Sequence, residues 1–132
     1  MSRTVSMQFG KPGGVIQNAS GGGNNWVLLW TNNAPTATFT AQDVAIGSIS
    51  GYSEFMIISR YNTSATYYQT YNVINMGVGT DGYCFVIYTY IGRRHFTLKQ
   101  TAISFDVGQR QSAYNAWTNN NDYCIPVYIY GR

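Results

Sequence analysis

Residues 93–108, "RRHFTLKQTAISFDVG", decide the fold of this chain. A turn at Gln100–Thr101 predicts an antiparallel hairpin whose two arms are nearly equal in length. One face of the hairpin would then be apolar, with Leu98 opposite Ile103 and Phe96 opposite Phe105. A slip of one residue would bury the polar positions instead, so the hydrophobic pattern itself selects this register.

The opposite face of the same hairpin would be polar, with Thr97 opposite Ser104 and His95 opposite Asp106. His95 and Asp106 are two thirds of a hydrolase triad, and Ser104 would lie on the same face as a nucleophile. Sheets also carry polar cross-strand pairs routinely, and this interpretation is favoured. We therefore predict that the protein is not an enzyme.

The rest of the chain repeats the period-two pattern of the hairpin and shows no sustained helical periodicity. Candidate strands are residues 4–9, 26–31, 37–46, 54–61, 67–78, 83–91, 93–100, 102–108 and 123–130. About eight or nine short strands predict an all-β fold, an antiparallel β-sandwich of jelly-roll type. Residues 1–25 are expected to form an N-terminal strand and a glycine-rich loop, and residues 26–132 the sandwich.

Local signals refine the expected strands. Asp81–Gly82 is a strong hairpin signal, and a turn there would pair Val78 with Phe85. The apolar runs 54–59 and 83–88 predict central strands that are covered on both faces.

Two further positions constrain the sheets. Pro126 cannot donate a hydrogen bond to a sheet, so its strand should be an edge strand or carry a bulge. Trp26 and Trp30 are four residues apart in one predicted strand. Because side chains alternate between the two faces of a strand, both rings are predicted to lie on the same face, in the core.

The composition excludes several functional classes. Only 10% of the residues are charged, and the net charge of +3 comes from mostly scattered basic residues, so we expect no nucleic-acid binding. No apolar run approaches the roughly 20 residues of a membrane helix, so we expect no membrane insertion, and the first ten residues lack an apolar signal core. One His with scattered acids provides too few ligands for a metal site, and no cofactor is predicted.

The two cysteines, Cys84 and Cys124, are too far apart in the sequence for a CxxC motif. Each follows a Tyr inside an apolar strand pattern. Two small buried thiols are favoured over a disulfide.

Uncharged aromatic and amide residues are the strongest sign of a binding function. Trp117 and Tyr114 lie in a polar segment with Asn119 and Asn120, where a ring could stack on a sugar and amides could reach its hydroxyls. Trp117 could equally cover the core.

Two more groups are candidates for contact with a ligand. The tyrosine-rich strand contains Tyr67, Tyr68 and Tyr71, for which packing between subunits competes with ligand contact. Arg93, Arg94 and His95 are interpreted as a surface patch that contacts an acidic sugar or an anionic polymer, or that only keeps an edge soluble.

Three segments together resemble a known family. They are "LLWTNNAPTATFTAQDVAI" with "GYSEFMIISRYNTS", then "GYCFVIYTYIGRRHFTLKQTAISFDVG", and finally "NNNDYCIPVYIYGR". Across residues 26–132 the chain resembles the C-terminal domains of phage tail-fibre and minor tail structural proteins. The shared motifs are structural, and no catalytic signature accompanies them.

The resemblance implies a virion protein that is made in the host bacterial cytoplasm and binds the bacterial surface, often a glycan. It implies a homotrimer of β-sandwiches in contact with other virion proteins. Only about 25 residues precede the fold here, which suggests either an excised domain or a short virion protein. The alternatives are therefore a capsid decoration or head-fibre protein with an architectural role, and a polysaccharide-degrading enzyme with carboxylates shared between subunits.

Overall fold

The computed structural model describes residues 15–16 and 25–132, and this part of the chain is built almost entirely of β-strands. The strands are β1 (Val15–Ile16), β2 (Trp26–Thr31), β3 (Gln42–Ala45), β4 (Glu54–Asn62), β5 (Tyr68–Ile74), β6 (Asp81–Ile87), β7 (Ile91–Leu98), β8 (Ala102–Ala113), β9 (Ala116–Asn119) and β10 (Tyr123–Gly131). One 3₁₀ turn, Ile49–Gly51, precedes β4. The predicted strand at residues 4–9 lies outside the described residues.

The strands form two antiparallel sheets that pack face to face. The first sheet has the order β1-β2-β10-β4-β5, and the second has the order β3-β8-β7-β6 with β9 beside β8. The prediction of an antiparallel β-sandwich is confirmed. The start of β2 and the end of β10 lie at the same end of the sandwich, where Gly131 pairs with Val27.

The β7–β8 hairpin has the register that its hydrophobic pattern predicts. Leu98 pairs with Ile103 and Phe96 with Phe105, and all four side chains are fully buried. They belong to a core between the sheets, which also contains Phe55, Ile57, Ile125 and Ile129 of the first sheet. The alternation of the sequence thus determines both which residues pair and which face is buried.

The expected hairpin at Asp81–Gly82 is wrong. These residues begin β6, where Asp81 pairs with Thr97 of β7, while β5 belongs to the other sheet. The connection crosses between the sheets through Gly77 and Gly79, whose φ angles of 103° and 97° suit glycine. The strong turn signal was misleading because packing between the sheets outweighs a local pairing.

The predictions for the two apolar runs had different outcomes. The run 54–59 lies in β4, which is central and buried on both faces as predicted. The run 83–88 lies mostly in β6, which is an edge strand with alternating burial, so that prediction is wrong.

Pro126 does not lie in an edge strand, because β10 is the central strand of the first sheet. The alternative prediction, a bulge, is confirmed by a register shift between Pro126 and Tyr128 against β4. The bulge accommodates the missing N–H. The Pro126 carbonyl accepts a 2.9 Å hydrogen bond from the side-chain amide of Asn32.

A second bulge separates the two tryptophans of β2. The register shifts so that Ile129 pairs with Trp30 and Tyr130 pairs with Leu28. Trp30 therefore packs against the core between the sheets, whereas Trp26 joins a second cluster on the outward face of the first sheet. The prediction that both rings share one face is wrong, because an extra residue reverses the alternation.

Candidate ligand-binding site

The outward face of the second sheet gathers side chains from four strands into one polar surface. We call this surface the polar face, and it consists of Tyr83 of β6, Arg93 and His95 of β7, Asp106 and Gln109 of β8, and Trp117 of β9. Alternation points these residues away from the core, and in β8 a bulge between Phe105 and Gly108 brings Gln109 to the same face as Asp106.

Arg93 lies between two aromatic rings on this face. Its guanidinium carbon is 3.9 Å from the centre of the Trp117 ring and 4.5 Å from that of Tyr83. Its Nε donates a 2.8 Å hydrogen bond to the side-chain oxygen of Gln109. The cation–π contacts hold the rings and the guanidinium in a fixed arrangement.

His95 bridges two carboxylates across three neighbouring strands. Its Nδ1 lies 2.6 Å from an oxygen of Asp106, and its Nε2 lies 2.8 Å from an oxygen of Asp81. Both nitrogens face acceptors, so both contacts are hydrogen bonds only when the ring is the doubly protonated imidazolium. Partial burial acts to lower the pKa of His95, but the hydrogen bonds to Asp81 and Asp106 outweigh it, and the pKa is raised.

This arrangement differs from a hydrolase triad in a decisive way. A general base needs one free imidazole nitrogen that faces the nucleophile. In this site the second nitrogen is held by Asp81, so Ser104 gains no base from His95. The cross-strand pair with Asp106, expected from the hairpin register, is present.

An open cavity of about 350 Å³ lies on the polar face, beside the aromatic stack. It is lined by Ala41, Tyr83, His95, Asp106, Val107 and Gln109. Such a lining offers a ring, a carboxylate that accepts hydrogen bonds and an amide that donates and accepts them. These groups can bind a polar, uncharged ligand such as a sugar.

Arg94 does not belong to the surface patch in which the sequence analysis placed it. Its side chain is fully buried, and its guanidinium donates hydrogen bonds to the carbonyls of Asp106, Asn121, Tyr123 and Cys124. Burial lowers the pKa of Arg94 to about 10, and the group stays charged at neutral pH. The sequence pattern indicated that Arg94 points inward, because Arg94 and the buried Phe96 are two residues apart in one strand and therefore lie on the same face.

The two cysteines are free and buried beside this arginine, as the sequence analysis favoured. The Cys124 thiol donates to the carbonyl of Cys84 at 3.3 Å, which joins β10 to β6 across the sandwich. Burial raises the pKa of Cys84, and it raises the pKa of Cys124 to about 12. Both groups are therefore thiols that pack in the core and not reactive thiolates.

A second aromatic group lies at the end of the sandwich opposite the start of β2. We call it the aromatic end, and it consists of Tyr61, Tyr67, Tyr88, Tyr90, Tyr123 and Arg110. Tyr67 stacks on Tyr88 with centroids 5.2 Å apart, and Tyr61 contacts both Tyr88 and Tyr123 edge-on. The Arg110 guanidinium carbon lies 4.3 Å from the centre of the Tyr90 ring.

The structure brings together only part of the predicted binding residues. Trp117, Arg93 and His95 meet on the polar face, and Asn119 joins them by accepting a 3.0 Å hydrogen bond from Gln109. Trp117 is half-buried on β9, so the site lies on a sheet face and not on the expected loop.

The other predicted residues lie elsewhere. Asn120 shapes a turn, because its side chain accepts a hydrogen bond from the Asp122 N–H. Tyr114 is 90% exposed at the tip of the β8–β9 hairpin. Tyr67 belongs to the aromatic end, whereas Tyr68 and Tyr71 pack on opposite faces of the first sheet, in the outer cluster and in the core.

Sequence reasoning missed Tyr83 and Gln109 as members of the site. The expected hairpin at Asp81–Gly82 paired Tyr83 with Thr80, next to the turn, and gave it no role in a site. Gln109 follows a register shift in the pairing of β8 with β7, so its face could not be read by counting from Phe105. The sequence did contain a clue for Tyr83. If Cys84 points into the core, as expected, then Tyr83 beside it in the strand must point outward.

No group of three or more His, Cys, Asp or Glu side chains in residues 25–132 is arranged to hold a metal ion. In the described part of the chain, no helix has the length and apolar character that crossing a membrane requires. Comparison with protein-family models, with curated proteins and with solved structures found no match to this chain.

Proposed function

We propose that this chain is a non-enzymatic glycan-binding domain of a phage virion, and that the polar face is its binding site. The observation that carries the proposal is the ordered Trp117–Arg93–Tyr83 stack beside an open cavity lined by His95 and Gln109. A rigid aromatic group next to convergent amide and carboxylate groups suits the apolar ring face and the hydroxyls of a sugar.

Binding is favoured over catalysis because neighbouring side chains hold His95 and Arg93 on the polar face in place. His95 is held between Asp81 and Asp106, and Arg93 is held by Gln109 and two rings. Such mutual contacts fix the shape of a binding surface, and they leave no nitrogen of His95 free to act as a base. Polysaccharide cleavage would require two carboxylates that flank the scissile bond.

The assignment to a phage virion rests on the resemblance of residues 26–132 to tail-fibre and minor tail domains. In that setting the domain would bind a glycan of the bacterial cell surface as a tail-fibre or tail-tip component. The low share of charged residues, 10%, suits a surface that is solvated by hydroxyls and amides.

A binding assay against neutral bacterial-type oligosaccharides tests the proposal. We expect Trp117→Ala and Gln109→Leu each to weaken binding at least tenfold, measured by titration calorimetry. Gln100→Leu is the matched control, because Gln100 is exposed in the β7–β8 turn, far along the hairpin from Gln109. Equal affinity of all three variants and the original protein would contradict the assignment of the site.

An architectural role in a capsid decoration or head-fibre protein is the second candidate. The observation that favours it is an exposed apolar segment that starts at the last residue of β5, where Ile74, Met76 and Val78 are 63%, 81% and 67% exposed. Apolar side chains of this size suit contact with a neighbouring subunit. Co-purification with capsids and no binding to any glycan would favour this candidate.

A further inference from the structure

Arg110 is a cation without an anionic or hydrogen-bonding partner in the described part of the chain. The other described basic residues are all engaged. Lys99 pairs with Asp43 and Arg132 with Glu54, and the side chains of Arg60, Arg93 and Arg94 donate hydrogen bonds to oxygens. The contacts of the Arg110 side chain are with two rings, Tyr90 at 4.3 Å and Tyr123 at 5.8 Å.

None of the five acids of the chain contacts Arg110, and each has another partner. Asp43 and Glu54 are in the two ion pairs above, and Asp81 and Asp106 hold His95. Asp122, the last of the five acids, accepts a 2.6 Å hydrogen bond from the Thr38 hydroxyl. A partly buried guanidinium that has no hydrogen-bond acceptor within the described residues can bind an external carboxylate or phosphate.

A cavity lies beside the Tyr90 ring that Arg110 contacts, although Arg110 itself does not line this cavity. A cavity of about 290 Å³ opens between the β6–β7 and β8–β9 hairpin tips, and its lining includes Tyr88, Tyr90, Gln111 and Tyr114. Tyr90 connects the two features, since one ring both lines the cavity and supports the guanidinium. Exposed rings at Tyr88 and Tyr90 offer stacking surfaces next to the charge.

The cavity also adjoins the polar face. Gln111, which lines it, is the cross-strand partner of Trp117. A saccharide chain that contacts Trp117 could therefore continue along β8 towards Tyr90. An acidic group at that end of the saccharide would lie beside Tyr90, the ring that contacts Arg110.

We propose that the aromatic end binds the acidic group of an anionic saccharide, a carboxylate or a phosphate, through Arg110 and the Tyr88 and Tyr90 rings. The anion site stands on the contacts of Arg110 alone, whereas the choice of a saccharide as the ligand rests on the proposed function. The polar face alone suggests a neutral saccharide as the ligand. The anion site at Arg110 changes this expectation to an acidic saccharide.

Titration with matched probes tests the proposal. The probes are a neutral dextran oligosaccharide, an oligogalacturonate that carries carboxylates, a glycerol phosphate oligomer, inorganic phosphate and a single-stranded oligonucleotide. Binding is followed by calorimetry and by the NMR shifts of the Arg110 side chain. We expect the two acidic oligomers to bind more tightly than dextran and to weaken as NaCl increases from about 0.05 M to about 0.5 M.

Three variants separate a specific site from general charge attraction. Arg110→Gln should weaken acidic-oligomer binding at least tenfold, and Arg110→Lys, which keeps the charge, should recover part of the loss. Lys99→Gln removes the same charge at the opposite end of the β7–β8 hairpin and should change the affinity less than twofold. Unfolding midpoints confirm that each variant is folded.

The outcomes distinguish this inference from the proposed function. The anion site would be overturned if Arg110→Gln left the affinity for the acidic oligomers unchanged, or if Lys99→Gln reduced that affinity equally. This conclusion does not depend on the effect of Trp117→Ala on glycan binding. Arg110-dependent binding of phosphate without binding of any saccharide would support the anion site and overturn the glycan function. Tighter binding of the oligonucleotide than of either acidic oligomer would overturn the saccharide class.

Discussion

At the scale of single residues, Arg94 ties the two sheets together. Its guanidinium lies on β7, and the carbonyls that it satisfies belong to β8, β10 and the turn that precedes β10. Burying a charge is unfavourable unless the group is hydrogen-bonded, and the carbonyls accept four hydrogen bonds from the guanidinium. Cys124, one of the acceptors, adopts a positive φ of 51°, which is uncommon for a residue with a side chain.

Replacement of Arg94 by Met should destabilise the protein by at least about 3 kcal/mol, because each buried carbonyl left without a donor costs about 1–3 kcal/mol. Its neighbour Arg93 provides the control, since Arg93→Met removes a partly exposed cation with one side-chain hydrogen bond and two ring contacts and should cost no more than about 1–2 kcal/mol. Urea denaturation measures both changes. Similar losses for the two variants would contradict the structural role of Arg94.

His95 should make stability depend on pH. The pKa of His95 is raised in the folded protein, so its contribution is fully present below the unfolded pKa of about 6.5 and is lost as the pH rises through the folded pKa. Urea midpoints between about pH 5 and pH 9 should therefore decline more in the original protein than in His95→Gln. Parallel pH profiles would show that the Asp81–His95–Asp106 contacts do not stabilise the fold.

At the scale of strands, the contact between β8 and the turn before β10 is unusually close. An added Cβ at Gly108 would lie 2.6 Å from both Arg94 Nη2 and the Tyr123 carbonyl oxygen, and 2.7 Å from the Asn120 carbonyl oxygen. Two of these atoms are backbone and cannot move without shifting β10. Gly108 thus sets the distance between β8 and the chain segment that Arg94 binds.

We expect Gly108→Ala to lower the free energy of unfolding by about 3 kcal/mol, because the added methyl group forces this backbone apart. Gly51→Ala is the control, since no atom lies within 4 Å of a Cβ at that position, and its effect should stay within about 0.5 kcal/mol. Thermal and urea unfolding of the two variants test the difference. A neutral Gly108→Ala would show that β10 can shift freely against β8.

At the scale of the whole molecule, the exposed apolar segment around Met76 lies on a different part of the sandwich from the polar face and the aromatic end, the two surfaces proposed to bind ligands. The polar face covers the second sheet, and the aromatic end lies opposite the start of β2. The segment after β5 could thus contact a neighbouring subunit without covering either proposed site.

We expect the protein in solution to be a trimer, with three times the 14.7 kDa mass of the chain. The expectation follows from the resemblance to trimeric tail-fibre domains and from the exposure of Met76 and Val78. Light scattering behind a sizing column measures the mass, and Val78→Asp should dissociate the assembly. A monomeric original protein would contradict the trimer and favour a domain that assembles only on the virion.

Much of the fold was predictable because strand alternation is a local property. The strands at 26–31 and 54–61, the register of Leu98 with Ile103 and the burial of both cysteines all follow from the period-two pattern. The candidate site was less predictable. Trp117, Arg93 and His95 were singled out from their chemistry, but not from any knowledge that they meet.

The sequence by itself determined the class of fold and the pairing of Phe96 and Leu98 with Phe105 and Ile103 next to the β7–β8 turn. Only the tertiary structure decided that β10 is central, that β5 and β6 lie in different sheets and that a bulge turns Trp26 away from Trp30. The physical reason is distance along the chain. Alternation acts between neighbouring residues, whereas sheet order, bulges and the assembly of the polar face depend on packing between strands that are remote in sequence.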